Sequence, residues 1–403
     1  MENVNPFNPN SVVGSNLFAG RSIQINEICN KLQQIKVSSP SSSFIYGERG
    51  IGKTALAKLI KYIASINDPD FYALNLITSY YSVENGQEIS SVLQESLNKL
   101  TNEMDTSLLE KIGSKLGNIF QNGKFQIGAF GASIGVESNQ NEITRQITIK
   151  DQTVSILSNI IKSITEEGKR DGVLIIIDEL HNLKHLETSA SILRNVITTL
   201  DVESLGKVSF LLIGYEEDVA KFFSEDSSAR RTFDLYPLGV MPDDEAKEVL
   251  IKGFSLVGLK WDGESITRNI SVAGGYPHSI QIIGHNLVKT DTDKNIDEVD
   301  WGSAIVNSAL DLQTKSFSSM YSFNKTITEK DKILVALANA GKPLTRKELK
   351  DITGKNVYQY IPLLKECGAV KEDDEKKVFL QSQLLRTSIL FDQRIRNIMQ
   401  KIK

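Results

Sequence analysis

The chain has 403 residues, of which 40% are apolar and 24% charged, with a net charge of −4. This is the composition of a globular protein with room for two or three cored domains. Its longest apolar runs, such as VLIII at 173–177, are far too short to cross a bilayer. Two widely spaced cysteines, Cys29 and Cys367, exclude a disulfide framework and a cysteine-held zinc. The N-terminus MENVNPFNPN shows no basic stretch followed by an apolar one, so a cytoplasmic protein is expected. Charge is unevenly spread: residues 325–403 hold 17 basic and 10 acidic side chains, a balance of +7 on an otherwise acidic body. Such a segment fits a solvated helical domain or a polyanionic partner.

In chain order, SFIYGERGIGKTALAKLIKYIA reads as a short apolar strand, a glycine-rich turn and a helix. FYALNLITSYY (71–81) reads as a second strand, and residues 88–121 as two helices. KFQIGAFGASIGVE (124–137) and NEITRQITIK (141–150) both alternate, which predicts a β-hairpin around SNQN. Asp151 then reads as the N-cap of a helix, DQTVSILSNIIKSITEEG. DGVLIIIDEL and KVSFLLIG are near-continuous apolar runs, the pattern of parallel strands covered on both faces. TFDLYPL reads as a fifth strand. Strands alternating with helices predict an α/β domain with a parallel sheet. After Pro242 only helices are expected up to residue 322. From 327, three helices followed by two short strands around the charged turn KEDDEKK give a winged-helix arrangement.

GERGIGKT (47–54) fits the phosphate-loop pattern and sits between a strand and a helix, as that chemistry requires. Backbone N–H groups of Gly47, Glu48, Arg49, Gly50, Ile51, Gly52, Lys53, Thr54 and Ala55 form the candidate cradle, helped by the helix dipole. Lys53 reaches the β- and γ-phosphates of ATP, and Thr54 is a ligand for magnesium. Asp178, at the carboxyl end of an apolar strand, is the matching acid that orients Mg2+. Glu179 is placed to polarise an attacking water. His181 and His185 are four residues apart, but Asn-Leu-Lys lies between them, not the acid a zinc pair needs. DELH matches a helicase box, but no helicase-type SAT or Q-x-x-G-R-x-x-R stretch follows.

LFAGR (17–21), the phosphate loop, LIIIDEL, ARRTFDL, GGYPHSIQ and a winged helix occur in one order over residues 17–385. That order resembles AAA+ and STAND-type ATPases, near the origin-recognition-type initiators. The resemblance implies an AAA+ core at 1–240, with the hairpin inserted at about 124–150. It further implies a helical lid at 241–324, a winged helix at 325–390 and a helical tail at 391–403. Carried over, Phe18, Gly20 and Arg21 lie near the adenine. Arg230 or Arg231 is an arginine finger reaching a neighbouring subunit, which implies a homo-oligomer. Pro277 in Gly275-Tyr276-Pro277 matches the G-x-P element of STAND switches. Two departures stand out. Gly214 and Tyr215 follow the fourth strand where such proteins carry a polar sensor, and GGYPHSIQ lacks the lid arginine.

These departures predict a slow ATPase whose nucleotide state governs assembly and a partner effector protein. Bacterial relatives of this kind serve in phage defence, and the resemblance permits that role. The alternative is a DNA-acting ATPase for replication initiation or transposition, reading DNA through Lys355, Asn356, Tyr358, Gln359 and Lys365. Four acids in the predicted wing stand against it. A metabolic kinase is disfavoured, because no acceptor site is identifiable. The hairpin residues Phe125, Ile127, Phe130 and Ile134 form either an exposed contact face or an edge packed on the core.

Overall fold

The computed structural model describes residues 4–9, 20–116, 119–121, 123–127, 142–315, 317–323, 326–354 and 356–402. They form two compact units. One is residues 21–239; the other joins residues 240–402 to the N-terminal segment.

The first unit is built on a five-stranded parallel sheet: β1 (Ser42–Gly47), β2 (Leu76–Ser82), β3 (Gly172–Asp178), β4 (Val208–Gly214) and β5 (Phe233–Leu238), in the order β2-β3-β4-β1-β5. Every residue of β3 and β4 is buried. Only a strand sandwiched between helices can hold such a run without exposing apolar surface. The connecting helices are α1 (Ser22–Gln33), α2 (Lys53–Ser65), α3 (Ile89–Leu100), α4 (Thr106–Leu116), α5 (Glu142–Glu167), α6 (Leu186–Val202) and α7 (Glu216–Phe222). The turn after β1 and the ends of β3 and β4 lie at the carboxyl edge of the sheet, where open α/β folds place their ligands.

The hairpin reading is corrected here. Residues 142–150 belong to α5, which runs unbroken to Glu167. Ile149, Thr153, Ile156, Ile160 and Ile164 are all buried, at the three- and four-residue spacing of one helical face. That continuous face outweighs the local alternation. Asp151 therefore lies inside the helix rather than capping it, paired with Lys150 at 2.6 Å. Of the first arm, Lys124–Phe125 is a two-residue strand paired with the preceding Phe120–Gln121, and residues 128–137 lie outside the described residues. Phe125 and Ile127 are buried in the core, so they are not an exposed contact face. Phe130 and Ile134 lie outside the described residues.

In the second unit, α8 (Asp243–Val257), α9 (Gly263–Asn269), α10 (Pro277–Thr290) and α11 (Glu298–Lys315) precede α12 (Glu329–Ala340), α13 (Arg346–Thr353) and α14 (Tyr360–Glu366). An antiparallel pair, β6 (Val370–Glu372) with β7 (Val378–Leu380), completes the winged helix. The lid region also holds a two-residue parallel pair, Lys260–Trp261 with Asn295–Ile296, where helices alone were expected. Helix α15 (Gln383–Ile402) packs on both α11 and α12, and so joins lid and winged helix in one apolar core. Ser388 donates to the Ala309 carbonyl (3.0 Å) and Arg386 to that of Ala338 (2.8 Å). The chain's final helix thus begins at Gln383 rather than 391, and acts as a beam rather than a tail.

Phe7 belongs to this unit. It is 1% exposed, packs edge-on against Phe254, and presses on Gly253 and Gly284. A Cβ on Gly253 would sit 2.0 Å from the Phe7 ring. Asn5 donates to the His285 carbonyl at 3.0 Å. Asn5 and Phe7 thus pack into the second unit.

Candidate nucleotide site

β1 ends at Gly47 and α2 begins at Lys53, so residues 48–52 form the turn that aims a helix N-terminus along the sheet edge. Gly47 has φ 154°, and a Cβ there would lie 2.4 Å from the Leu238 carbonyl oxygen; no other residue fits. Ile51 is buried and anchors the turn. Arg21 is 5% exposed and donates to the carbonyls of Gly239 (2.7 Å) and Ile51 (3.3 Å). Its guanidinium braces the loop against the end of β5. Phe18, its expected neighbour, lies outside the described residues.

Lys53 Nζ donates to the carbonyls of Gly47 and Glu48, both at 2.8 Å, and stands 4.5 Å from the centroid of the Tyr215 ring. Burial lowers its pKa, opposed by the charges of Glu179 and Asp178. The ammonium is thus partly desolvated and held by neutral groups that an anion outcompetes. Glu48, Arg49, Gly50, Gly52 and Ala55 lie in the turn and first helical residues, as their numbering requires.

Thr54 and Asp178 meet. The Thr54 hydroxyl donates to Asp178 Oδ2 at 2.7 Å, across 124 residues of sequence. Asp178 is 2% exposed. Tyr80, on the adjacent β2, donates to the same oxygen at 2.5 Å. Burial and this hydrogen bond push the Tyr80 phenol well above its ordinary pKa, so it remains a proton donor. A hydroxyl and a carboxylate, both hard oxygen donors, suit magnesium. Glu179 follows in a left-handed conformation, φ 60°, with its N–H on Asp178 Oδ1 at 2.8 Å. Such backbone strain in a non-glycine residue is typical of functional sites. Its side chain is 41% exposed, with Oε2 3.3 Å from His181 Nδ1.

Arg230 and Arg231 sit in a 3₁₀ turn, Ser227–Arg231, and both are exposed. Asp226 is engaged by Arg194 (2.7 Å) and Ser228, and among the described residues neither Arg230 nor Arg231 makes an ion pair. Arg230 lies 5.3 Å over the Phe223 ring. Pro277 opens α10 in the second unit, at the first helical position.

Two contributors escaped the sequence reading. Tyr80 gives no local signal, because only the β2–β3 pairing brings it to Asp178. Asp218 accepts from the Tyr215 N–H at 2.6 Å and fixes the turn after β4; an acid three residues after the cap is its readable signature.

Residues 17–211 match the family model described as the AAA ATPase domain. The chain as a whole is a P-loop protein of AAA+ fold, with a parallel-sheet core followed by a helical lid and a winged helix. Two solved structures are similar over nearly their full length. A Walker-type ATPase of Pyrococcus abyssi is 14% identical, with 92% of this chain and 96% of that one covered and a TM-score of 0.50. The ORC2 protein of Aeropyrum pernix in its ADP form is 15% identical, with 96% and 97% covered and a TM-score of 0.50. At such identities the likeness speaks for the fold. No curated protein matches the chain in sequence. Among the described residues no helix is long and apolar enough to cross a membrane.

Proposed function

We propose that the chain binds ATP with Mg2+ at residues 47–55, Thr54 and Asp178, hydrolyses it slowly, and uses the nucleotide state to control assembly and a partner protein. The observation that carries this reading is the 2.7 Å contact of Thr54 with Asp178, with Glu179 at the next position. When bound, ATP supplies the phosphoanhydride bond and magnesium neutralises phosphate charge. Lys53 exchanges its two loop carbonyls for phosphate oxygens. Thr54 and Asp178, whose oxygens are joined by one hydrogen bond, would hold the metal, while Tyr80 keeps Asp178 oriented. Glu179 accepts the proton of the attacking water at its carboxylate. Slowness is expected because Gly214 and Tyr215 offer no side-chain amide to align that water. Arg230 or Arg231 reaches a neighbouring copy; Arg231, without an ion pair or ring contact among the described residues, is the freer of the two.

The test is ATP turnover and particle size together, for the wild type and Glu179→Gln, with and without DNA. Slow turnover in the wild type and a larger ATP-bound particle for Glu179→Gln support the switch. Turnover of many ATP per second, or no response of either signal to ATP, would overturn it. A basic balance of +7 in residues 325–403 favours a second reading, a DNA-acting ATPase. In that case binding weakens steeply with salt, because phosphate contacts release counterions.

A further inference from the structure

Tyr215 stands where the site would otherwise present a small polar group, and its surroundings form a series. The Lys53 ammonium lies 4.5 Å from the Tyr215 ring centroid. Tyr215 also meets His181, whose ring lies 4.7 Å from the Tyr215 ring, tilted by 42°. His181 Nδ1 in turn lies 3.3 Å from Glu179 Oε2. Three contacts therefore link the phosphate-binding lysine to the carboxylate expected to activate water. The backbone at each end is pinned, by Asp218 beneath Tyr215 and by Asp178 beneath Glu179. What remains adjustable is the side chains themselves.

We propose that Tyr215 and His181 are positioning residues, a stacked relay that reports engagement of Lys53 to Glu179. The proposal rests on the reading of residues 47–54 as a phosphate loop. In the described arrangement the Tyr215 ring and a phosphate compete for one ammonium. When Lys53 turns to a phosphate, the ring loses its cation and is free to shift. His181 stacks on that ring, so its hold on Glu179 changes with it. The carboxylate is thereby kept aside until Lys53 is engaged. Such a device restrains turnover without a polar sensor after β4, and it is made from residues on two different strand ends.

The relay predicts tighter binding and faster hydrolysis when it is cut, which a merely structural role does not produce. The full chain is titrated with a fluorescent ATP analogue, and single-turnover hydrolysis is timed. Tyr215→Ala is expected to tighten binding about 3- to 10-fold, the size of a lost competing cation–π contact, and to speed hydrolysis because Glu179 is no longer held aside. Tyr215→Phe keeps the ring and is expected to restore both values to about 2-fold of wild type. His181→Ala is expected to speed hydrolysis without tightening binding. Tyr215→Leu repeats the alanine test with the cavity filled, and melting without nucleotide checks that each variant folds. Weaker binding together with slower hydrolysis in Tyr215→Ala and Tyr215→Leu overturns the relay, as does failure of Phe to rescue. Lys53→Ala separates the two levels: undiminished ATP binding there would sink the phosphate-loop reading itself.

Discussion

The two units treat their cations differently. In the first, the direct contacts of Lys53 are two carbonyls and a ring, all neutral. In the winged helix, Arg346 donates twice to Glu372 Oε1, at 3.0 and 2.5 Å, and Lys365 reaches Oε2 at 3.0 Å. Of the five side chains that the sequence offered as DNA contacts, Lys365 is already paired with an acid of the wing strand β6, and Lys355 lies outside the described residues. Exposed on the neighbouring helices are Ile352, Tyr358 and Leu363. A basic balance counted along a sequence is therefore not the same as basic charge available to a partner. Pairing decides it, and pairing is a property of the fold.

The comparison is broken most easily at its strongest point. Lys53→Ala is expected to lower ATP affinity by roughly 100-fold or more, since charge-assisted contacts to phosphate have no substitute in the loop. Isothermal titration measures it, and unchanged affinity would mean the cation was never on offer. The second unit is tested at Phe7, whose removal leaves a cavity against Gly253 and Gly284. Phe7→Ala should cost about 3 kcal/mol of that unit's stability, seen in urea unfolding, while ATP affinity holds. A smaller effect is expected at Tyr80. Tyr80→Phe removes one of the two hydroxyls on Asp178 and should weaken Mg2+ dependence about 10-fold, read as the metal concentration for half-maximal turnover.

The smallest effect sharpens the contrast in cations. Burial raises the Glu372 pKa, but the hydrogen bonds and charges of Arg346 and Lys365 outweigh it and hold the carboxyl below its ordinary value. A carboxyl with a depressed folded-state value stabilises the fold above its unfolded pKa. That contribution is lost as pH falls through the folded value. The stability difference between wild type and Glu372→Gln should thus be about 1 kcal/mol near neutrality and close in acid below about pH 4. The same variant frees Arg346 and Lys365. If pairing is what withholds them, its DNA affinity rises and its salt slope steepens by about 1 to 2.

What could be read in advance was local. GERGIGKT and LIIIDEL declare themselves because their geometry is set within a few residues, by glycine backbone and by a doubly covered strand. The winged helix was legible from caps and spacing: Thr328 and Thr345 each open a helix with an acid three residues on. Hidden from the sequence was whatever needs the sheet to be folded first. Tyr80 reaches Asp178 only through strand pairing, and Tyr215 reaches His181 only because β3 and β4 are neighbours. Helix α5 was misread because threonine and isoleucine alternate in NEITRQITIK, while the buried face that decides the matter runs on to Ile164.

The anchoring of Phe7 bears on how the chain is made. The ribosome delivers Asn5 and Phe7 ahead of the first unit, yet His285, which Asn5 holds, follows 280 positions later. Closing a flexible loop of that length would cost about 5 kcal/mol in chain entropy by logarithmic scaling. Prior folding of residues 21–239 removes most of that freedom, since a folded unit replaces a long coil with a short fixed span. The first unit is therefore expected to fold during synthesis, and the early segment to wait for it. Truncation before residue 285 should yield a folded core with a protease-sensitive N-terminal end. Full-length chain should protect that end last, after the nucleotide site has formed.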